Sequence, residues 1–428
     1  MGRSSPKGRV VILALGSRGD VEPCVALAGT LRREGHDVVI HALDDFRDLV
    51  GRAGIDFASM RASLPREGRV SRPVGWAMTH AHRSPLVAVG GVRLWLRGIA
   101  TEVARSVTRL VRPTDTVISG ILTLDTALAL RAALGCRLAV ALFAPCLPTR
   151  EGPSLVEAVR PFRTSVLNRA GGTLTWSAGV WWSRPGGAVA RRELGLPRHR
   201  AERSLLVPPD VPVLLAASAL LVPEATDWGP GVRLTGPWQV PAPSGREVPD
   251  GLAAFLDEGP APVFASFGSV GLASDVPLCV DAAATAGVRL ITSVPRGSGT
   301  APGRVGDTVY VVDDAPHAWL LPRTAGVVHH GAAGTTTTAL GSGVPSTAVP
   351  HQFDQHYYAR RLALLGVGPT PVPRRRLDSA RLAEMMTAMT RGPEAGEYRR
   401  RALLTAGEAA GERGTEEAVR VMRTAGLL

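Results

Sequence analysis

GVVHHGAAGTTTTALGSGVPSTAVPHQFDQHYYARR, residues 326–361, holds a strand, a turn of small residues, a helix and a second strand in immediate succession. Gly326-Val327-Val328 is a short apolar run of the kind a buried strand makes. Gly331-Ala332-Ala333-Gly334-Thr335 follows as a turn almost without side chains. Thr335 to Leu340 reads as a helix, with the Thr335 hydroxyl as its N-cap. Gly343 and Pro345 stop that helix, and Ser346–Val349 returns as a strand. The unit is therefore strand–helix–strand, with a bare-backbone turn at the carboxyl end of its first strand.

Such a turn binds anions. Small side chains let an anion reach the backbone, the first N–H groups of the helix are unpaired, and the helix dipole adds positive potential. In open parallel sheets, ligands lie at the carboxyl ends of the strands. Asp354-Gln355 comes just after the neighbouring strand and is expected in the same crevice. Carboxylate and amide groups beside a phosphate cradle suit a ligand that carries hydroxyls. The plain alternative is an ordinary strand-to-helix turn in an α/β core, and spacing alone leaves both open.

The residues just described, His329-His330-Gly331-Ala332-Ala333-Gly334-Thr335 with Val344-Pro345, Val349-Pro350 and Asp354-Gln355, resemble the donor-site signature of family 1 glycosyltransferases. The likeness extends through 315–323 (APHAWLLPR), Val222-Pro223, Asp227-Trp228 and Thr235-Gly236-Pro237-Trp238. It reaches the amino-terminal segment at 16–23 (GSRGDVEP). Within that family the chain looks like the bacterial antibiotic and macrolide enzymes and the sterol glucosyltransferases. The resemblance implies an α/β chain of GT-B fold, two Rossmann-like domains facing across a cleft. It implies an inverting, metal-independent enzyme that moves a sugar from a UDP- or dTDP-sugar to a hydroxyl of an apolar small molecule. It needs no cofactor beyond that donor substrate.

Length and charge agree with this. At 428 residues the chain is too long for one ordinary core, and two domains are expected. We place them at residues 1–238 for the acceptor and 239–410 for the nucleotide sugar, with 411–428 as a helix crossing back to the first. The 45% hydrophobic content supplies large cores. The net charge of +12 rests almost wholly on arginine, since Lys7 is the one lysine. The arginines are spread along the chain rather than gathered in an arm, and Arg374-Arg375-Arg376 is a short run. With aromatics at only 5%, base stacking has little to work with, and nucleic acid is not expected as a partner. Cys24, Cys136, Cys146 and Cys279 are far apart, without a CxxC, and read as buried thiols of a reducing cytoplasm. No apolar run is long enough for a signal peptide or a membrane span.

Along the chain, Arg9–Leu15 is a strand, Val21–Arg33 an amphipathic helix and Asp37–His41 the next strand. This opening unit has neither G-x-G-x-x-G nor G-K-[ST]. Residues 61–98 break the rhythm with Gly, Pro, Arg and Trp. Strands resume at Thr116–Ile118 and Leu138–Leu142, around a helix at Asp125–Ala133. Residues 150–192 concentrate Trp176, Trp181 and Trp182. Helix packing explains any one of these, while Trp76, Trp176 and Trp181 together can line an acceptor pocket. Residues 222–246 read as the connection between domains. Strands at Pro262–Phe267, Val288–Thr292 and Thr308–Val312 open the second domain, and helical patterns at Leu377–Met389 and Glu397–Met422 end the chain.

Asp20 follows the first strand. From the residues alone it is equally an N-cap for a helix starting at Val21 and a general base. The resemblance favours the base, because related enzymes place a catalytic Asp in this Gly-Asp-x-Glu-Pro context. Other members have a His held by an Asp, but the corresponding partner region here is Ser119-Gly120, so that dyad is not expected, and the role of Asp125 stays open. His329 and His330 are adjacent on a strand and point to opposite faces, which argues against a metal pair. By the family pattern His329 donates to the diphosphate and His330 is structural. The pattern also implies Ser269 at the outer phosphate, backbone N–H groups of Gly331, Ala333, Gly334 and Thr335 at the diphosphate, and Asp354 and Gln355 on sugar hydroxyls. His317 and the backbone at Val312 would meet the pyrimidine, with His351 and His356 at the surface. Two other readings remain: a sugar-nucleotide epimerase or hydrolase on the same scaffold, which needs further acid–base groups, and a non-catalytic binding partner.

Overall fold

The computed structural model describes residues 8–65, 71–80, 84–152, 164–197, 207–240, 248, 250–268, 271, 274–294, 301–313 and 315–428. The chain forms two compact units, Met1–Val240 with Arg413–Leu428, and Pro241–Glu412.

The first unit contains β1 (Val10–Ala14), α1 (Arg18–Arg33), β2 (Val38–Ala42), α2 (Arg47–Arg52), β3 (Asp56–Ser59), α3 (Arg72–His80), α4 (Pro85–Leu110), β4 (Thr116–Ser119), α5 (Leu124–Leu134), β5 (Arg137–Leu142), α6 (Val166–Glu193), β6 (Val213–Leu215) and β7 (Val232–Leu234). Its sheet runs β3-β2-β1-β4-β5-β6-β7, parallel throughout. A strand covered on both faces has no polar side to show, which is why β1 reads VVILA and is buried at all five positions. Val10 pairs with Val38 on one side and Thr116 on the other. The order reverses between β1 and β4, so the loops after those strands diverge and leave a crevice at their carboxyl ends.

The second unit contains α7 (Asp250–Asp257), β8 (Val263–Ser266), α8 (Asp275–Ala286), β9 (Leu290–Ser293), β10 (Gly303–Val305), β11 (Val309–Val312), α9 (His317–Leu320), β12 (Gly326–His329), α10 (Ala333–Gly341), β13 (Ser346–Ala348), α11 (Gln355–Leu365), α12 (Ser379–Thr390) and α13 (Ala395–Ala409). Its sheet runs β10-β11-β9-β8-β12-β13, with β10 antiparallel on β11 and the other pairs parallel. Here the order reverses between β8 and β12, where His329 stands opposite Ser266.

The helical pattern from Glu397 to Met422 divides into α13 and a separate last helix. Gly414 opens α14 (Gly414–Thr424) against the backbone of residues 236 and 237, where an added Cβ would lie 2.2 Å from the Pro237 carbonyl oxygen. This helix belongs to the first unit. It buries Ala418, Val419, Val421 and Met422 in the core shared with α1 and β1. The Thr30 and Thr415 hydroxyls meet at 2.9 Å, and the Thr116 hydroxyl donates to Leu427 O at 2.5 Å. Truncating Met422 to Ala would cost about 2–5 kcal/mol.

Among the described residues no helix is long and apolar enough to cross a membrane. The four cysteines are buried and free.

Candidate active site

Two crevices, one in each unit, gather most of the candidate residues. In the first unit β1 ends at Ala14 and α1 begins at Arg18, three residues before the expected start. Ser17 is the N-cap, so Asp20 occupies the third helical position and is not the N-cap. Its Oδ2 accepts from the Ser17 N–H at 2.7 Å and from the Ser17 hydroxyl at 3.0 Å, closing the turn backwards. Gly16, at φ 148°, lies directly under this carboxylate, and an added Cβ would sit 2.2 Å from Oδ2. Burial raises the Asp20 carboxyl above its usual range, while the two Ser17 hydrogen bonds pull it back. Both bonds end on Oδ2, and among the described residues Oδ1 makes none.

Across the strand-order reversal, β4 ends in Ser119, whose hydroxyl meets Thr123 Oγ1 at 2.8 Å. Asp125 lies in the first turn of α5, with its carboxylate against Gly187 of α6, where an added Cβ would lie 2.3 Å from Oδ2. The three tryptophans do not share one surface. Trp176 is buried on the inward side of α6, Trp181 is exposed about 140° around that helix, and Trp76 stands on α3 with its ring stacked on His80 at 4.8 Å.

In the second unit, α10 begins at Ala333, two residues before the expected start, with Ala332 as N-cap, so Thr335 is the third helical residue rather than the cap. The first intrahelical bond runs from Thr336 N to Ala332 O. The N–H groups of Ala333, Gly334 and Thr335 therefore have no helical partner, and an alanine offers no side chain to cap them. The hydroxyls of Thr336, Thr337 and Thr338 donate to carbonyls four residues back, at 2.8, 2.8 and 3.0 Å. Thr335 makes no such bond.

His329 is completely buried at the end of β12. Its Nδ1 accepts the Gly331 N–H at 3.0 Å, which leaves the proton on Nε2, and Nε2 has no partner. Burial first, then the nearby His330 and His317, lowers its pKa to about 3, so the ring is neutral at pH 7. A neutral N–H donor is thus fixed in orientation and unsatisfied. His330 is also held near 3, by burial and by His351 and His317. Its ring lies against Gly268, where an added Cβ would sit 2.7 Å from Cε1, and Gly268 itself is at φ 57°.

Gly331 adopts φ 87°, and an added Cβ would fall 2.8 Å from the Gln355 carbonyl oxygen, so the small-residue turn and the 350–355 loop touch. Gln355 is buried at the start of α11. Its Oε1 accepts from His351 N at 2.8 Å and Gln352 N at 3.1 Å, which directs the donor end of the amide away from those bonds. Asp354 is the N-cap of α11 and half-buried. Phe353 before it sits at φ 51°, a conformation a bulky residue adopts only under constraint. His317 opens α9 with its ring 5.4 Å from Phe264, and the Val312 carbonyl accepts from Val294 N at 3.1 Å. Ser269 lies outside the described residues.

Two contributors were not foreseen. Phe353 carries the backbone strain of the loop. Arg374 holds Pro350 O with its backbone N–H at 3.1 Å and pairs its guanidinium with buried Asp275 at 2.5 Å. It thereby ties the 350 loop to the start of α8, and its place at the head of an arginine run was the only signal. Among the described residues no group of three or more His, Cys, Asp and Glu side chains converges as a metal site.

Residues 278–423 match the family model of the erythromycin biosynthesis protein CIII-like C-terminal domain. Residues 10–92 match the glycosyltransferase family 28 N-terminal domain. The chain is 32% identical to O-mycaminosyltylonolide 6-deoxyallosyltransferase of Streptomyces fradiae, over 96% of each chain. It is 31% identical to vancomycin aglycone glucosyltransferase of Amycolatopsis orientalis, over 89% of this chain and 91% of that one. It is 28% identical to sterol 3-beta-glucosyltransferase UGT80B1 of Arabidopsis thaliana, over 90% of this chain but only 64% of that longer protein. The solved structure of the glycotransferase of kitacinnamycin superposes with a TM-score of 0.67 at 17% identity, covering 98% of this chain and 100% of that one. Glycosyltransferase VinC, solved in complex with dTDP, does so with 0.66 at 20%, covering 98% and 99%. The two switch-point sheets are those of the GT-B fold, and the chain belongs to the glycosyltransferase family that includes these antibiotic and sterol enzymes.

Proposed function

We propose that the chain transfers a sugar, with inversion, from a UDP- or dTDP-sugar to a hydroxyl of an apolar small molecule. The observation that carries this is the unsatisfied donor set at the β12–α10 turn. A buried Nε2–H without an acceptor costs about 1–3 kcal/mol. A diphosphate oxygen would satisfy His329 Nε2–H, and others the N–H groups of Ala333, Gly334 and Thr335 with the Thr335 hydroxyl. We assign the sugar hydroxyls to Gln355 and Asp354, because the Gln355 backbone touches the Gly331 turn. His317 and Val312 are our candidates for the base. By their names two of the relatives act on O-mycaminosyltylonolide and on vancomycin aglycone, and the VinC structure holds dTDP.

In this reading Asp20 takes the proton of the acceptor hydroxyl as its oxygen attacks the anomeric carbon. The new carbon–oxygen bond forms as the bond to the diphosphate breaks, and the diphosphate leaves with the electron pair. His329 and the α10 N–H groups stabilise that charge in place of a metal ion. Oδ2 keeps the helix turn closed while Oδ1 faces the proton, and the raised pKa makes the carboxylate a better base. Exposed Trp76 is our candidate for acceptor contact, and Trp176 acts only through the packing of α6.

Calorimetric titration with UDP, dTDP and GDP in EDTA tests the donor assignment. At about 100 times its dissociation constant the right nucleotide should stabilise by roughly 2.7 kcal/mol. His329→Ala should weaken that binding while His330→Ala mainly lowers stability. If none of the three nucleotides binds, or if both variants lose affinity and melting temperature equally, the assignment fails.

A further inference from the structure

α6 uses two opposite faces. Asn168, Gly172, Trp176, Gly179 and Ser183 are buried. The small residues allow close contact, since an added Cβ at Gly172 would lie 3.0 Å from Pro148 Cα and one at Gly179 2.3 Å from the Ile121 side chain. The outer face carries Val166, Leu167, Ala170, Leu174, Ala178 and Trp181, all within about 60° of one line and spread over roughly 22 Å. Val166, Leu167, Leu174 and Trp181 are 62%, 46%, 74% and 39% exposed, which is unusual for so long an apolar stripe. No charged side chain shares that face between Val166 and Trp181.

The charge lies at the carboxyl-terminal end of the stripe and has one sign. The Arg93 guanidinium of α4 stacks 4.5 Å over the Trp181 ring and donates to the Trp181 carbonyl. Arg97 and Arg184 stand close enough for their charges, after burial, to lower the pKa of Arg93. Among the described residues no carboxylate pairs with any of the three.

We propose that the outer face of α6, with Arg93, Arg97 and Arg184 at its end, docks the chain reversibly on an anionic lipid surface. The leucines and Trp181 enter the boundary between headgroups and acyl chains, and the guanidiniums meet the phosphates. Trp suits that depth because its ring is apolar and its N–H polar. A second copy of the chain is a poor occupant, because each copy carries a net charge of +12. An anionic leaflet supplies both the missing counter-charge and the apolar phase.

The test is sedimentation of the full chain with vesicles of phosphatidylcholine alone and of phosphatidylcholine with 30% phosphatidylglycerol, without nucleotide or acceptor. It therefore stands or falls independently of the transfer reaction. We expect binding to the anionic vesicles only, with a partition coefficient at least tenfold lower in 500 mM than in 100 mM KCl. Leu167→Ser/Leu174→Ser and Arg97→Gln/Arg184→Gln should each lower it at least tenfold, with the wild-type melting temperature retained. Absence of binding to anionic vesicles, or equal binding by both variants, overturns the proposal. So does a concentration-dependent dimer in the absence of vesicles that the leucine variant abolishes, which would assign the face to a second copy.

Discussion

Acidification should destabilise the second unit through its buried imidazoles. His329 and His330 are both held neutral, with pKa values near 3. In the unfolded chain each titrates near 6.5. Both folded values are depressed, so the unfolded state binds more protons as pH falls, and stability present above about pH 6.5 is lost progressively toward pH 3. Between pH 7 and pH 5 each histidine forfeits about 2 kcal/mol, from roughly 1.36 kcal/mol for each pH unit below 6.5. The pair loses about 4 kcal/mol, a large part of an ordinary domain's stability. The assay is urea unfolding at pH 7, 6 and 5 of wild type beside His329→Asn/His330→Asn. Asn at 329 keeps an acceptor for the Gly331 N–H that His329 Nδ1 now holds. The double variant should be less stable at pH 7 but much flatter in pH. If it loses as much between pH 7 and 5 as wild type, the two rings are not the acid-sensitive groups.

Other expectations follow from the same geometry. Turnover should survive EDTA, since fixed N–H dipoles are assigned the role a metal would otherwise fill; activity abolished by chelation and restored by Mg²⁺ or Mn²⁺ would contradict this. Gly331→Ala should cost about 1–3 kcal/mol and weaken nucleotide binding, because a Cβ at φ 87° meets the Gln355 carbonyl oxygen at 2.8 Å. Unchanged affinity in a folded Gly331→Ala protein would show that the contact between the two loops does not shape the donor site.

Much of the fold is written plainly in the chain. β1 and β12 are continuous apolar runs because both faces of a parallel strand are covered, and the small-residue turn after β12 permits little else. Helix starts were less legible. Ser17-x-x-Asp20 places the cap four residues before Val21, the first apolar helical position, so a reading by apolar periodicity begins α1 too late. The N-cap of α10 is Ala332, a residue with no capping side chain, and the nearest hydroxyl drew the boundary to Thr335 instead. The break between α13 and α14 depends on the approach of Gly414 to residues 236 and 237, a contact remote in sequence.

At the candidate site, residue types were legible and their hydrogen bonds were not. A run of four threonines looks uniform until three are seen bonded to the preceding turn. The His329 tautomer depends on the Gly331 N–H, and the orientation of the Gln355 amide depends on two backbone N–H groups of its own loop. The positive φ of Phe353 and the turn of Arg374 toward Asp275 are announced by no local pattern.

The most direct test of the account is the turnover of Asp20→Asn with a competent donor and acceptor. Asn can still accept the Ser17 N–H and hydroxyl, so α1 should remain capped and the melting curve near that of wild type. Donor affinity, which the proposal assigns to the second unit, should be unchanged. Without a carboxylate to take the acceptor proton, turnover should fall by roughly 10²–10⁴-fold. A folded Asp20→Asn protein with wild-type turnover would remove Asp20 from the mechanism and with it the proposed chemistry.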